Sequence, residues 1–167
     1  MGDLNQIHWP PRYDPASFPV HVQNKLEMAS PVEIVWAWLI RAQLWQTWYP
    51  NAANVHFVKG ESPDLALGTQ FKWKAFGLTV ESTVLEYVPP ERIAWDAHAA
   101  GFEGYHAWLI KKADNGCTVL TEEVQRGWLP RLQKAFAPHR MESFHKLWLE
   151  RLRDNAAKGA PPFSDEG

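Results

Sequence analysis

Apolar and polar side chains alternate along residues 20–29, with Val20, Val22, Leu26 and Met28 on one face, and predict a strand. Ser30, Pro31 and Glu33 then read as a capping box around a proline at the first helical position. A helix is expected from there to about Arg41, and a second short one over about 43–48, ending before Pro50. From residue 52 the period changes to two. Residues 54–60 read as a strand, and residues 61–68 as a loop. In the next strand Phe71, Trp73 and Ala75 face one way, and Gln70, Lys72 and Lys74 the other. Residues 78–88 form a long strand, and a proline turn leads to one that shares Ile93, Trp95 and Ala97 on a face. Residues 103–113 and 117–126 flank Asn115-Gly116, a strong hairpin signal. With Asn115-Gly116 as a two-residue turn, Trp108 stands opposite Glu123 and His106 opposite Gln125, and one extra loop residue would reverse the faces.

After Gly127 the period becomes helical: Met141, Phe144, Trp148 and Leu152 recur at steps of three and four, and His145 and Leu149 widen the stripe. Pro138 either kinks this element or starts it. The order is one strand, two short helices, about six sequential strands and one long helix. Sequential hairpins imply an antiparallel sheet with one face on a core. The fold class is α+β, in a single domain over residues 19–158. Pro10, Pro11 and Pro15, with Pro19 just beyond, mark residues 1–18 as an extended arm, which lies on the domain surface or serves as a lid or dimer contact. Residues 159–167 read as a disordered tail.

Several stretches resemble a known family. "ASPVEIVWAWL" followed by "WQTWYP" resembles its opening, "LGTQFKW" its Gly-Thr strand start, and "VLEYVPPERIAW" its central strand–turn–strand. "NGCTVLTEEVQRG" resembles its last hairpin strand, and "WLERLRDNAAK" the end of its final helix. The family is the START/Bet v 1-like (SRPBCC) superfamily, also called polyketide cyclase/dehydrase-like, and the resemblance spans about residues 20–157. It implies the helix-grip fold, a curved antiparallel sheet of about seven strands around the C-terminal helix, with a cavity between them. Members bind lipids, polyketides, steroids or hormones, and a minority are cyclases or dehydratases. The arm, and Cys117 between Gly116 and Thr118, depart from the pattern.

Composition narrows this picture. Among 167 residues the net charge is −2, which argues against a nucleic-acid surface. The longest apolar run is too short to span a bilayer, and the opening residues resemble no signal peptide. One cysteine, Cys117, suggests the cytoplasm. The outlier is tryptophan, with 10 copies. Large indoles either fill a core or wall a hollow. A dry hollow of about 300 Å³ would cost roughly 7 kcal/mol at about 24 cal/mol per Å³. Such a space must therefore hold ligand or water, or stay small.

Trp36 and Trp48 read as core, whereas Trp38 and Trp45 stand between core and rim. Candidate ligand contacts are Phe71, Trp73, Trp95, Trp108, Met141, Phe144 and Trp148 on inward-facing positions, with Trp128 at the mouth. His106 and Glu123 are the candidate polar groups in the interior. His98 reads as exposed and His145 as a structurally satisfied histidine. No metal or other cofactor is expected: Glu142 and His145 have the spacing of carboxylate-bridged sites, but no second such pair exists. The leading reading is a protein that binds a hydrophobic small molecule, aromatic or not, in a cavity between the sheet and the C-terminal helix, with transport or sensing as its use. A cyclase- or dehydratase-like enzyme using His106 and Glu123 as acid and base is the alternative, and a protein-interaction module the third. A homodimer through the arm stays open.

Overall fold

The structure is a computed structural model and describes residues 6–162. Seven antiparallel strands form one sheet in the order β1-β7-β6-β5-β4-β3-β2. They are β1 (Val20–Met28), β2 (Ala53–Lys59), β3 (Gln70–Ala75), β4 (Leu78–Val88), β5 (Arg92–Ala99), β6 (Phe102–Ala113) and β7 (Gly116–Arg126). Helices α1 (Val32–Ile40) and α2 (Trp45–Trp48) follow β1, and α3 (Trp128–Phe136) and α4 (Arg140–Ala156) close the chain. This is the expected helix-grip architecture. Twist and irregularities in the β2–β3 and β4–β5 pairings curve the sheet around α4.

Most faces follow the alternation. Phe71, Trp73, Ala75, Ile93, Trp95 and Ala97 are buried with Trp148, Leu149 and Leu152 of α4 in the main core. The other face of the sheet carries a second apolar cluster, with Ala94, Tyr105, Ala107, Leu109 and Val124 covered by Ile7, Tyr13 and Phe18 of the arm. Tyr13 stacks on Tyr105 at 4.8 Å, and Glu103 accepts from both Arg12 and Arg126. The described part of the arm is thus a cover for its own sheet, which is why both faces of β6 are apolar.

Two local expectations change. The first is the capping box: Pro31, not Ser30, is the N-cap residue of α1, which starts at Val32, and no side chain caps it. The second is the last hairpin, which pairs Ala113 with Gly116, so Asp114 and Asn115 form the turn and not Asn115-Gly116. His106 therefore stands opposite Glu123, and Trp108 opposite Thr121. The displacement is an even number of residues, so every side chain keeps its face. Of the two readings of Pro138, the start holds: α3 ends at Phe136 and α4 begins at Arg140. The tail falls partly on residues 163–167, outside the described residues. Within the described part, the carbonyls of Gly159 and Pro162 accept from Trp38 Nε1 (2.7 Å) and Arg41 Nη1 (2.6 Å).

Candidate ligand site between the sheet and the last helix

Indoles fill most of the interior. Trp45 is fully buried, donates its N–H to the Leu39 carbonyl at 2.9 Å, and lies within 6 Å of Phe71, Trp73, Trp95 and Trp148. Trp36, Trp38 and Trp48 are buried as well. The core reading therefore holds for all four tryptophans of the first two helices. Tyr49 stacks flat on Trp148 at 4.3 Å, pinning α4 to the segment after α2.

A hollow remains beside this cluster, walled by Trp73, Trp95, Trp148 and Tyr49, with Ala75, Val80 and Ala97 as its small apolar positions. Half-buried Phe76, Phe102, Leu129 and Gln133 surround its mouth. The space for centres of water-sized molecules is about 30 Å³, within about 560 Å³ of empty space counted out through the mouth. At about 10–15 Å³ per water centre, the closed interior holds roughly two waters. The indoles have shrunk the void as well as lined it.

One side of the hollow is polar. β6 supplies His106, β7 supplies Glu123 and Gln125, and α4 supplies His145 one turn before Trp148. All four are buried. Glu123 Oε2 accepts from His145 Nε2 at 2.7 Å, and its Oε1 accepts from Gln125 Nε2 at 2.8 Å. Gln125 Nε2 also reaches Met141 Sδ at 3.4 Å. The Thr121 hydroxyl donates to the Ala107 carbonyl at 3.2 Å and so accepts from His106 Nε2 at 2.7 Å, which places the proton of His106 on Nε2. His106 Nδ1 lies 3.6 Å from Glu123 Oε2, beyond a hydrogen bond. The His106 ring is sandwiched between Trp108 (5.1 Å) and His145 (4.7 Å, 9° from parallel).

Burial pushes His106 down to about 3, outweighing the attraction of the Glu123 charge, so the ring is neutral at ordinary pH. Burial also acts to raise Glu123. The imidazoles of His106 and His145, with the hydrogen bonds from His145 and Gln125, outweigh it and hold Glu123 below its ordinary value. The centre is thus a buried carboxylate, an imidazole hydrogen-bonded to it, and a second imidazole kept neutral.

Of the sequence candidates, Trp73, Trp95, His106, Glu123 and Trp148 come together on this hollow. Phe71 and Trp108 sit behind that wall, in the core. Met141 touches the polar side through Gln125, and Phe144 packs edge-on against Phe76 at 5.0 Å. Trp128 is 64% exposed and covers Gly101, where a β-carbon would meet its indole nitrogen. It packs on the β5–β6 turn instead of lining the hollow. His145 reads as structural in the sequence, yet it lies on the hollow with its Nε2 on Glu123. Its Nδ1 is buried without a partner, as is Gln125 Oε1. No spacing in the sequence marks this, since α4 meets β7 only through the fold.

His106, Glu123 and His145 bring ligand-type atoms within 4.8 Å of one another. Their geometry does not suit one cation. Donors on a shared metal stand about 3 Å or more apart at bonds of about 2 Å. The His145–Glu123 contact is 2.7 Å, and the near-parallel rings send their in-plane lone pairs side by side. Glu142 and His145, the spaced pair seen in the sequence, diverge: Glu142 is exposed near His139.

Residues 19–157 match the family model described as polyketide cyclase / dehydrase and lipid transport. The chain belongs to that family. Among solved structures, hypothetical protein jhp0584 from Helicobacter pylori is 30% identical, with a TM-score of 0.84 over 93% of this chain and 99% of that one. The di-domain ARO/CYC protein StfQ of the steffimycin biosynthetic pathway is 14% identical, with a TM-score of 0.69 over 86% of this chain and 53% of that one. TTHA0849 from Thermus thermophilus is 13% identical, at a TM-score of 0.69 over 85% and 100%. At these last two identities the likeness shows the fold alone. A search of curated proteins finds no match. Among the described residues no helix is long and apolar enough to cross a membrane.

The neutral His106 makes folding pH-dependent. Its folded-state value near 3 lies below the unfolded value of 6.5, so between them the unfolded chain binds the extra proton. Stability is complete above about 6.5 and falls on acidification, by up to about 1.4 kcal/mol per pH unit from this ring. Glu123, lowered in the fold, adds a loss of the same sign at more acid pH. Urea unfolding at pH 7, 6 and 5 checks this: His106→Gln starts less stable than wild type but declines less steeply. Equal slopes for the two proteins would contradict the assignment.

Proposed function

We propose that the protein binds a hydrophobic small molecule, flat enough to lie on indole, in the space between the sheet and α4, as a carrier or sensor. The observation that carries this reading is the hollow itself. Three indoles and a tyrosine ring wall it, and polar atoms of its lining residues are left without partners. A core serving stability alone has little reason to leave buried polar atoms unpaired. The family description, which names both polyketide chemistry and lipid transport, supports the same class of ligand.

The experiment fills the hollow. Ala97 of β5 points into it beside Trp95. Wild type is expected to bind an environment-sensitive apolar dye and to show quenched tryptophan emission. Ala97→Phe should weaken binding at least about tenfold, at a stability cost of about 1–3 kcal/mol from overpacking. Undiminished dye binding by the folded Ala97→Phe variant contradicts the site.

A second reading, a cyclase- or dehydratase-like enzyme, is supported by the Glu123–His145 pair, a carboxylate-oriented imidazole at the cavity wall. In it His145, not His106, is the proton-transfer group, because the proton of His106 is spent on Thr121. This reading expects the protein to speed exchange of the α-hydrogens of cyclohexanone for deuterium, followed by NMR, and His145→Gln to abolish the gain. Exchange no faster than in buffer excludes it for such carbonyl compounds.

A further inference from the structure

We infer that the ligand is held by a hydroxyl group, and that the site favours phenols, molecules with a planar apolar body and one weakly acidic O–H. This rests on the binding reading and adds what the polar wall selects.

Glu123 dictates the polarity of that wall. Its carboxylate only accepts, so His145 must present Nε2–H to it, which turns a bare Nδ1 away when the ring is neutral. Gln125 must likewise present its NH₂ to Glu123, because the flipped amide would set oxygen against carboxylate. Gln125 Oε1 is then free. Both atoms are buried without a hydrogen-bond partner, on residues 2% exposed. Two acceptors therefore lack donors. Trp95 and Trp148, which line the same hollow, each leave a buried indole N–H without an acceptor. The wall residues hold unpaired donors and unpaired acceptors together.

A hydroxyl is the smallest group that answers both, giving its hydrogen to His145 Nδ1 and taking an indole N–H at its oxygen. An ether or ketone offers only acceptance and leaves His145 unmet. An ammonium offers only donation, leaves the indoles unmet, and brings more N–H groups than the wall can receive. A carboxylate would meet Glu123 as a like charge. The flat apolar faces of Trp95 and Trp148 then suit an aromatic ring behind the hydroxyl. Both mouth and wall must shift for any such ring, since the closed space holds only about 30 Å³ of water centres and these polar atoms are themselves buried.

Calorimetric titration of the full chain with four probes of similar size tests this: phenol, anisole, toluene and benzylamine. Anisole and toluene are more apolar than phenol, so a cavity that sorts by hydrophobicity alone prefers them. The expected result is the reverse, with phenol at least about tenfold tighter than anisole. In His145→Phe, phenol and anisole should bind alike. Should that variant not fold, the nitrogen NMR signal of His145 Nδ1 in wild type gives a second readout: phenol shifts it and toluene does not. If toluene and anisole bind as well as phenol, the hydroxyl inference fails and the binding reading stands. If benzylamine binds tightest, a cation and not a hydroxyl is selected, and the inference fails. If no probe binds, both fall.

Discussion

A charged carboxylate lies inside a core of indoles, and that one burial organises the site. Removing an ionised carboxylate from water costs several kcal/mol unless donors surround it. Glu123 obtains them from Gln125, two residues along its own strand, and from His145 on α4. The bond to His145 joins the first half of the long helix to β7, the strand beside the β1 edge of the sheet. It also sets which ring nitrogen carries hydrogen and which way the Gln125 amide points. His106 completes the packing as a neutral ring whose proton goes to Thr121. The polar end of the hollow follows from the needs of one side chain.

The tryptophans resolve a conflict of scale. A sheet wrapped around a helix leaves more room than aliphatic side chains fill, and a large dry void costs too much in a domain of about 5–15 kcal/mol net stability. Trp45, with Trp73, Trp95 and Trp148 about it, occupies most of that room. What survives is a narrow space bordered by the half-buried rings of Phe76 and Phe102 and by Leu129 and Gln133 of α3. Occupancy by anything larger than water requires those rings to move. Trp128, Leu132 and Phe136 of α3 face away from that space and are exposed.

Fold and faces are legible in the sequence because period two and period 3.6 are strong signals and register errors of even size preserve them. The hairpin turn lies one residue before its sequence signal, yet His106 and Glu123 still face inward. The capping box fails because the helix starts one residue later than expected, which puts Pro31, with no side-chain acceptor, at the N-cap. Site membership is less legible. Phe71 and Trp108 share the inner face with Trp73 and Trp95, and only three-dimensional depth separates core from wall. Position after β7 puts Trp128 at the mouth, but Gly101 offers its indole a seat elsewhere. His145 looks structural in the sequence because its partner, Glu123, lies 22 residues away and on another element.

The central claim is that an apolar molecule enters between the sheet and α4, not onto the surface. Indole N–H resonances report this directly, since every tryptophan has one. Titrating the protein with toluene while recording nitrogen–proton correlation spectra should move the signals of Trp73, Trp95 and Trp148. Those of Trp36, packed against Tyr87, and of exposed Trp128 should stay in place. Movement of the Trp128 signal, with the three interior ones unmoved, would contradict the account.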